Sequence, residues 1–194
     1  KDMVLLRSAY GGTSDFHDIQ YHLNIPSTDP LNADNAIDPA ARALYMGVSR
    51  PPFTLMDGNS ANVQGFSLNA IEIDRRALTD PEFDITIDTI NLAGLPGANN
   101  KIHPVLKLKA NKVPTAPLLV HVALIENTVG TSKNVLRKFL FGPDGATLIN
   151  TWTVGQEITV DKGPIDINVP IVNSGQLTLV AWVQNRTTRE VLQS

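Results

Sequence analysis

The stretch Phe83-Asp-Ile-Thr-Ile-Asp-Thr-Ile90 alternates apolar and polar residues without a break. Side chains of a strand point to opposite faces in turn, so this spacing predicts a β-strand with one buried and one solvated face. The same two-residue period returns in Val105-Leu-Lys-Leu-Lys-Ala110. Leu118-Leu-Val-His-Val-Ala-Leu-Ile125 is instead the longest apolar run of the chain and predicts a buried strand. Further β signals lie at residues 136–141, 151–160, 165–169 and 177–184. Turn clusters separate them: residues 94–100, Gly142-Pro-Asp-Gly145, Asp161-Lys-Gly-Pro164 and Asn173-Ser-Gly175. Short strands divided by turn signals roughly every ten residues predict an antiparallel β-sandwich over residues 80–194.

Upstream of Leu78 the pattern is mixed. A β-like run, Met3 to Ala9, leads into a long polar loop from Gly11 to about Pro39, long enough to suggest a surface or functional excursion. Asp38 is a candidate N-cap with Pro39 at the first helical position, predicting a helix at 40–45 that stops before Gly47. Arg50-Pro51-Pro52 forces extended backbone into a strand at 53–56. Asp57-Gly58 is a hairpin-turn signal, with a return strand at 62–66. Ser67 is a candidate cap for a last helix over 68–78, and Thr79-Asp80-Pro81 reads as a linker. The expected organisation is α+β over residues 1–79, then all-β over 80–194.

Composition narrows the function classes. Of 194 residues, 42% are hydrophobic and 18% charged, which suits a packed core rather than disorder. The net charge is -3 and the basic residues are scattered, so nucleic acid is not expected as a partner. With no cysteine, these residues contain no thiolate nucleophile, dithiol redox pair or cysteine-bound zinc. No apolar run reaches the roughly 18–20 residues of a spanning helix and the start has no signal-peptide pattern, so a soluble chain is expected.

Two sets of motifs carry a family resemblance. The order of the segment from Ala41 through Pro51-Pro52 to Asp57-Gly58 resembles the second half of a thioredoxin fold, with Pro52 in the cis-proline place. His121-Val-Ala-Leu-Ile-Glu126, Asn134-Val-Leu-Arg-Lys138, Gly142-Pro-Asp-Gly145 and the stretch Leu179 to Gln193 together resemble the family related to the twenty-eight-kilodalton outer-membrane protein of Bacteroidota. That resemblance implies a thioredoxin-like part at 1–79 followed by an immunoglobulin-like β domain at 80–194. It also implies a cell-envelope address: periplasm, outer-membrane surface or secreted. Thioredoxin-like members carry a Cys-x-x-Cys-type segment before the strand that corresponds to residues 3–9, and these residues do not include it.

Candidate sites are few. Glu126 and Arg137 sit in the family-like motifs and flank buried strands, and with Lys133 and the loop 128–133 they are the candidates for ligand or partner binding. A structural Glu126–Arg137 salt bridge is expected ahead of ligand binding. His17 and His22 stand near Asp15, Asp18 and Tyr21 without a third ligand and read as solvated loop residues. His121 reads as a hydrogen-bonded structural histidine. Asp29, Asp34 and Asp38, with Asn24, Asn32 and Asn35, could offer oxygen ligands to calcium but lack the EF-hand order, so turn and cap roles are expected. Tyr10, Trp152 and Trp182 would stack a sugar only if exposed, and Trp182 alternates within an apolar strand. Asn185-Arg-Thr187 is an Asn-x-Thr sequon, and Asp88-Thr89-Ile90 resembles the O-glycosylation pattern of Bacteroidota. No serine-nucleophile, phosphate-loop or dinucleotide motif occurs.

The expectation is therefore a non-enzymatic envelope protein with a binding or structural role, no cofactor and no metal. Its partner would be a protein or another envelope component, within a larger assembly if one forms. The alternatives are a thiol-disulfide oxidoreductase whose Cys-x-x-Cys lies upstream of Lys1, and a carbohydrate-binding module.

Overall fold

The computed structural model describes residues 16–58, 70–89, 100–148 and 151–194. The strands expected at 3–9 and 62–66, the Ser67 cap, Ile90, Tyr10 and most of the turn at 94–100 lie outside the described residues.

Among the described residues three helices come first: α1 (Pro30–Asp34), α2 (Ile37–Met46) and α3 (Ala70–Ala77). Ten strands follow: β1 (Phe83–Thr89), β2 (Lys101–Ile102), β3 (Val105–Ala110), β4 (Leu118–Val129), β5 (Ser132–Phe139), β6 (Ala146–Thr147), β7 (Glu157–Asp161), β8 (Ile165–Asp166), β9 (Leu177–Asn185) and β10 (Val191–Gln193). They pair antiparallel throughout, as a sheet β1-β3-β7, a second sheet β10-β9-β4-β5 with β6 beside the start of β4, and the pair β2-β8.

The alternation in β1 and β3 turns Phe83, Ile85, Leu106 and Leu108 inward against Val120, Val122, Leu124, Ala181 and Val183 of the second sheet, forming one shared core. Trp152 closes one part of it, edge-on to Phe83 at 5.2 Å. Each such fully buried side chain contributes roughly 1.5–3 kcal/mol. On the opposite face of the first sheet, Lys107–Asp88 at 3.2 Å and Lys109–Asp84 at 3.9 Å are exposed cross-strand pairs. Pairs of that kind add about 0–1 kcal/mol each and mainly keep the face wet.

β4 is buried on both faces, as its unbroken apolar run requires. Its second face, with Leu136, Phe139, Val180 and Trp182, is covered by Ile19 and Tyr21 from the N-terminal segment. Gln20 bridges to Val135 in parallel, taking the N–H of Leu136 (3.0 Å) and donating to the carbonyl of Asn134 (2.8 Å). The segment thus covers the edge of β5, where unpaired backbone groups would otherwise face solvent.

Several local expectations give way. The polar stretch before Pro39 contains α1, capped by Asp29, whose carboxylate accepts from the N–H of Leu31. α2 begins at Ile37, one residue before Asp38, so Asp38 is inside the first turn rather than its cap. Between residues 51 and 58 only Leu55 makes a bridge, so no strand occupies 53–56. Asp57 and Gly58 do form the turn, at φ 49° and 68°, the left-handed pair that a tight hairpin turn uses. The strand expected at 151–160 shortens to β7 because Trp152 turns into the core and Gly155 reverses the chain at φ 81°. The strand expected at 165–169 shortens to β8.

Candidate functional site

β5 carries the first polar cluster. Register slips by one residue between Leu124↔Lys138 and Ile125↔Leu136, leaving Arg137 unopposed in a β-bulge. A bulge re-aims its side chain, and the Arg137 guanidinium here ends up 1% exposed. Its Nε lies 3.4 Å from Glu126 Oε2, and Nη2 lies 3.0 Å from Asp34 Oδ2 of α1 while donating to the carbonyl of Pro170. Glu126, fully buried, also accepts from the backbone N–H groups of Val172 (3.3 Å) and Asn173 (2.5 Å). One ion-pair network thereby joins α1, β4, β5 and the loop before β9.

Neighbouring contacts extend it. Asp38 accepts from the backbone N–H of Phe139 at 2.7 Å, and Asn35 donates to Asp38 and to the carbonyl of Arg137 at 2.9 Å each. Side chains of α2 and of Asn35, two residues before it, thus complete backbone pairing that β5 lacks on that edge.

A second cluster lies between α2 and the outer face of β4 and β9. Arg42 is buried and donates to Gln184 Oε1 at 2.9 Å, with its guanidinium carbon 5.4 Å from the Trp182 ring centre and 5.5 Å from that of Tyr45. No carboxylate pairs with it among the described residues. Ring faces and an amide oxygen hold the charge instead, the cation–π arrangement that desolvation strengthens. Burial pushes Arg42 below its ordinary value, and Tyr21 and Tyr45 oppose the shift. The Tyr21 phenol is raised by burial, against the pull of Arg42.

His121 completes this cluster, stacked on Trp182 at 5.0 Å and 17°. Burial, then the positive charge of Arg42, depress its pKa to about 3, and the nearby Gln184 amide opposes the shift without meeting hydrogen-bond geometry. Both ring nitrogens are buried without a hydrogen-bond partner, which corrects the expectation of a hydrogen-bonded histidine. The turn of Gly142-Pro-Asp-Gly145 closes over the ring: a Cβ at Gly145 would stand 2.7 Å from His121 Cε1.

The expected site residues are therefore divided. Glu126 and Arg137 are brought together, face inward and form a buried ion pair, the structural reading of the two given for them. Lys133 is exposed, with Nζ on Thr128 Oγ1 at 2.9 Å. The loop expected at 128–133 is the end of the β4–β5 hairpin, paired at Thr128↔Lys133 and Val129↔Ser132. Pro52 follows a cis peptide bond from Pro51.

Other candidates are engaged locally. His22 Nδ1 lies 2.7 Å from Asp29. Burial raises the Asp29 carboxyl, but His22 and the N–H of Leu31 together outweigh it and hold the group below its ordinary value. His103 pairs with Asp161 at 2.7 Å, and the Gly163 N–H and then His103 hold Asp161 low. His17 is exposed. Asp29, Asp34 and Asp38 each face protein donors, and among the described residues no group of three or more His, Asp or Glu side chains gathers in metal-binding range. Trp152 and Trp182 are both buried and form no exposed stacking platform. Asn185 ends β9 with Oδ1 accepting from the N–H groups of Thr187 and Thr188, and Thr89 ends β1.

Arg42, Gln184 and the roles of Asp34 and Asp38 escape the sequence reading. The available signal was the double-faced run of β4, which needs a cover. No family model, no curated protein and no solved structure matches the chain.

Proposed function

We propose that this chain is a non-enzymatic binding or structural protein of the cell envelope, belonging with the family that its motifs resemble, with a thioredoxin-like first part and an immunoglobulin-like β part. The carrying observation is the use made of its polar groups. Glu126, Arg137, Asp34, Asp38, Arg42 and Gln184, the side chains with the most chemical potential, are turned inward and join the N-terminal segment to the β-sheet. Buried groups committed this way specify one arrangement of the two parts, a scaffold's requirement. The order of α2, extended chain, tight turn and α3 supports the thioredoxin-like reading. Two antiparallel sheets over one core support the immunoglobulin-like reading.

Fractionating the source cells and locating the native chain by mass spectrometry tests the address, with recovery in the envelope or medium expected and a cytoplasmic pool contradicting it. The native chain is also expected to leave insulin disulfides intact in the presence of dithiothreitol beyond the uncatalysed rate. Catalysed reduction would favour the oxidoreductase.

A further inference from the structure

α2 is inverted. Its two charged residues, Asp38 and Arg42, face the sheet, while its outward crest is Ile37, Ala40 and Leu44, with Ile37 74% and Leu44 83% exposed. A surface helix ordinarily shows the opposite arrangement. Cations border the C-terminal end of this crest. Arg189 stacks over Tyr45 at 5.5 Å, next to Leu44, and the Tyr45 hydroxyl donates to the carbonyl of Arg186 at 3.3 Å. Arg50 is exposed three residues past the helix's C-cap Gly47.

The local acids do not neutralise these cations. Asp57 and Glu190 pair with Arg76, Asp34 with Arg137, and Asp38 faces the N–H of Phe139. Among the described residues no carboxylate reaches Arg50, Arg186 or Arg189. An uncharged apolar ridge bordered by guanidinium groups with no carboxylate partner among the described residues therefore stands on a chain whose net charge is -3.

We infer that this face of α2 docks on an anionic lipid surface, with Ile37 and Leu44 entering the interface and Arg50, Arg186 and Arg189 meeting headgroup phosphates. Two features select that occupant. Ile37 and Leu44 protrude, at 74% and 83% exposure, so they enter a soft interface without needing a matching groove. The cations complement an anionic headgroup layer. No helix among the described residues is long and apolar enough to cross a membrane, and docking in the interface plane needs none. The inference stands on the surface of α2 alone: vesicle binding can fail while the envelope address holds, and the reverse.

The test is co-sedimentation of the purified chain with vesicles of phosphatidylcholine alone and with about a third phosphatidylglycerol added. Binding is expected on the anionic vesicles, falling as salt rises. Removing the charges in Arg50→Gln and Arg186→Gln should weaken it about 5-fold each and roughly 30-fold together. Leu44→Asp, at an exposed position that leaves the fold intact, should weaken it by about 10-fold or more. Absence of binding, equal binding to both vesicles, or unchanged binding by Leu44→Asp would overturn the inference. So would a wild-type dimer that Leu44→Asp dissociates while vesicles go unbound, which would give the ridge to a second copy.

Discussion

Lowering the pH from 7 to 5 should destabilise this protein through His121. Its folded pKa of about 3 lies below the ordinary 6.5, so the unfolded chain binds the proton first. The associated stability is fully present above pH 6.5 and is lost progressively as pH falls from 6.5 towards 3. At pH 5 the folded imidazole is almost wholly neutral and the unfolded one almost wholly charged, which amounts to a loss of about 2 kcal/mol relative to pH 7. Urea unfolding at pH 7, 6 and 5 measures it. Other groups titrate over the same range, so the diagnostic quantity is the difference between wild type and His121→Leu. Neither ring nitrogen has a partner, so the substitution removes no hydrogen bond and should change stability by less than about 1 kcal/mol at pH 7. At pH 5 the variant should gain about 2 kcal/mol on the wild type. Equal pH slopes in the two proteins would refute the assignment of a buried, neutral imidazole beside Arg42.

Two further substitutions probe the anchoring. Glu126→Gln removes the fully buried carboxylate partner of Arg137 and leaves it only the part-exposed Asp34, so unfolding free energy should fall by about 1–3 kcal/mol; a change below about 0.5 kcal/mol would mean that the pair carries no structural weight. Gly145→Ala meets both a positive φ of 72° and the His121 ring, and should lower stability by about 2 kcal/mol or more, read as a shift of the urea midpoint, with an unchanged midpoint ruling out the close approach.

The β part was legible where periodicity reports a single face. β1 and β3 follow their alternation to within a residue, because burial on one side leaves a period of two, while β9, buried on both faces, follows its apolar run. β2, β6, β8 and β10 are too short to show a period, and Trp152 breaks the expected strand by entering the core. The N-terminal layer reads poorly for a different reason. α1 and α2 contact the sheet through Asp34, Asp38 and Arg42, so the rule that apolar residues face inward fails on α2. Glu126 and Arg137 were identified as a pair with a purpose. That the purpose is anchoring depends on Asp34, about a hundred residues away in sequence, and on a bulge that no local pattern announces.

Polar contacts fix the N-terminal segment to the edge of β5. Amide hydrogen exchange at Leu136 and Phe139 reads that attachment residue by residue, since their N–H groups are taken by Gln20 and Asp38 rather than by a neighbouring strand. Both amides should be protected to a degree comparable with β4 in the wild type, and Asp38→Ala should release Phe139 selectively. Exchange of both at the rate of an open edge strand, unaffected by Asp38→Ala, would contradict the claim.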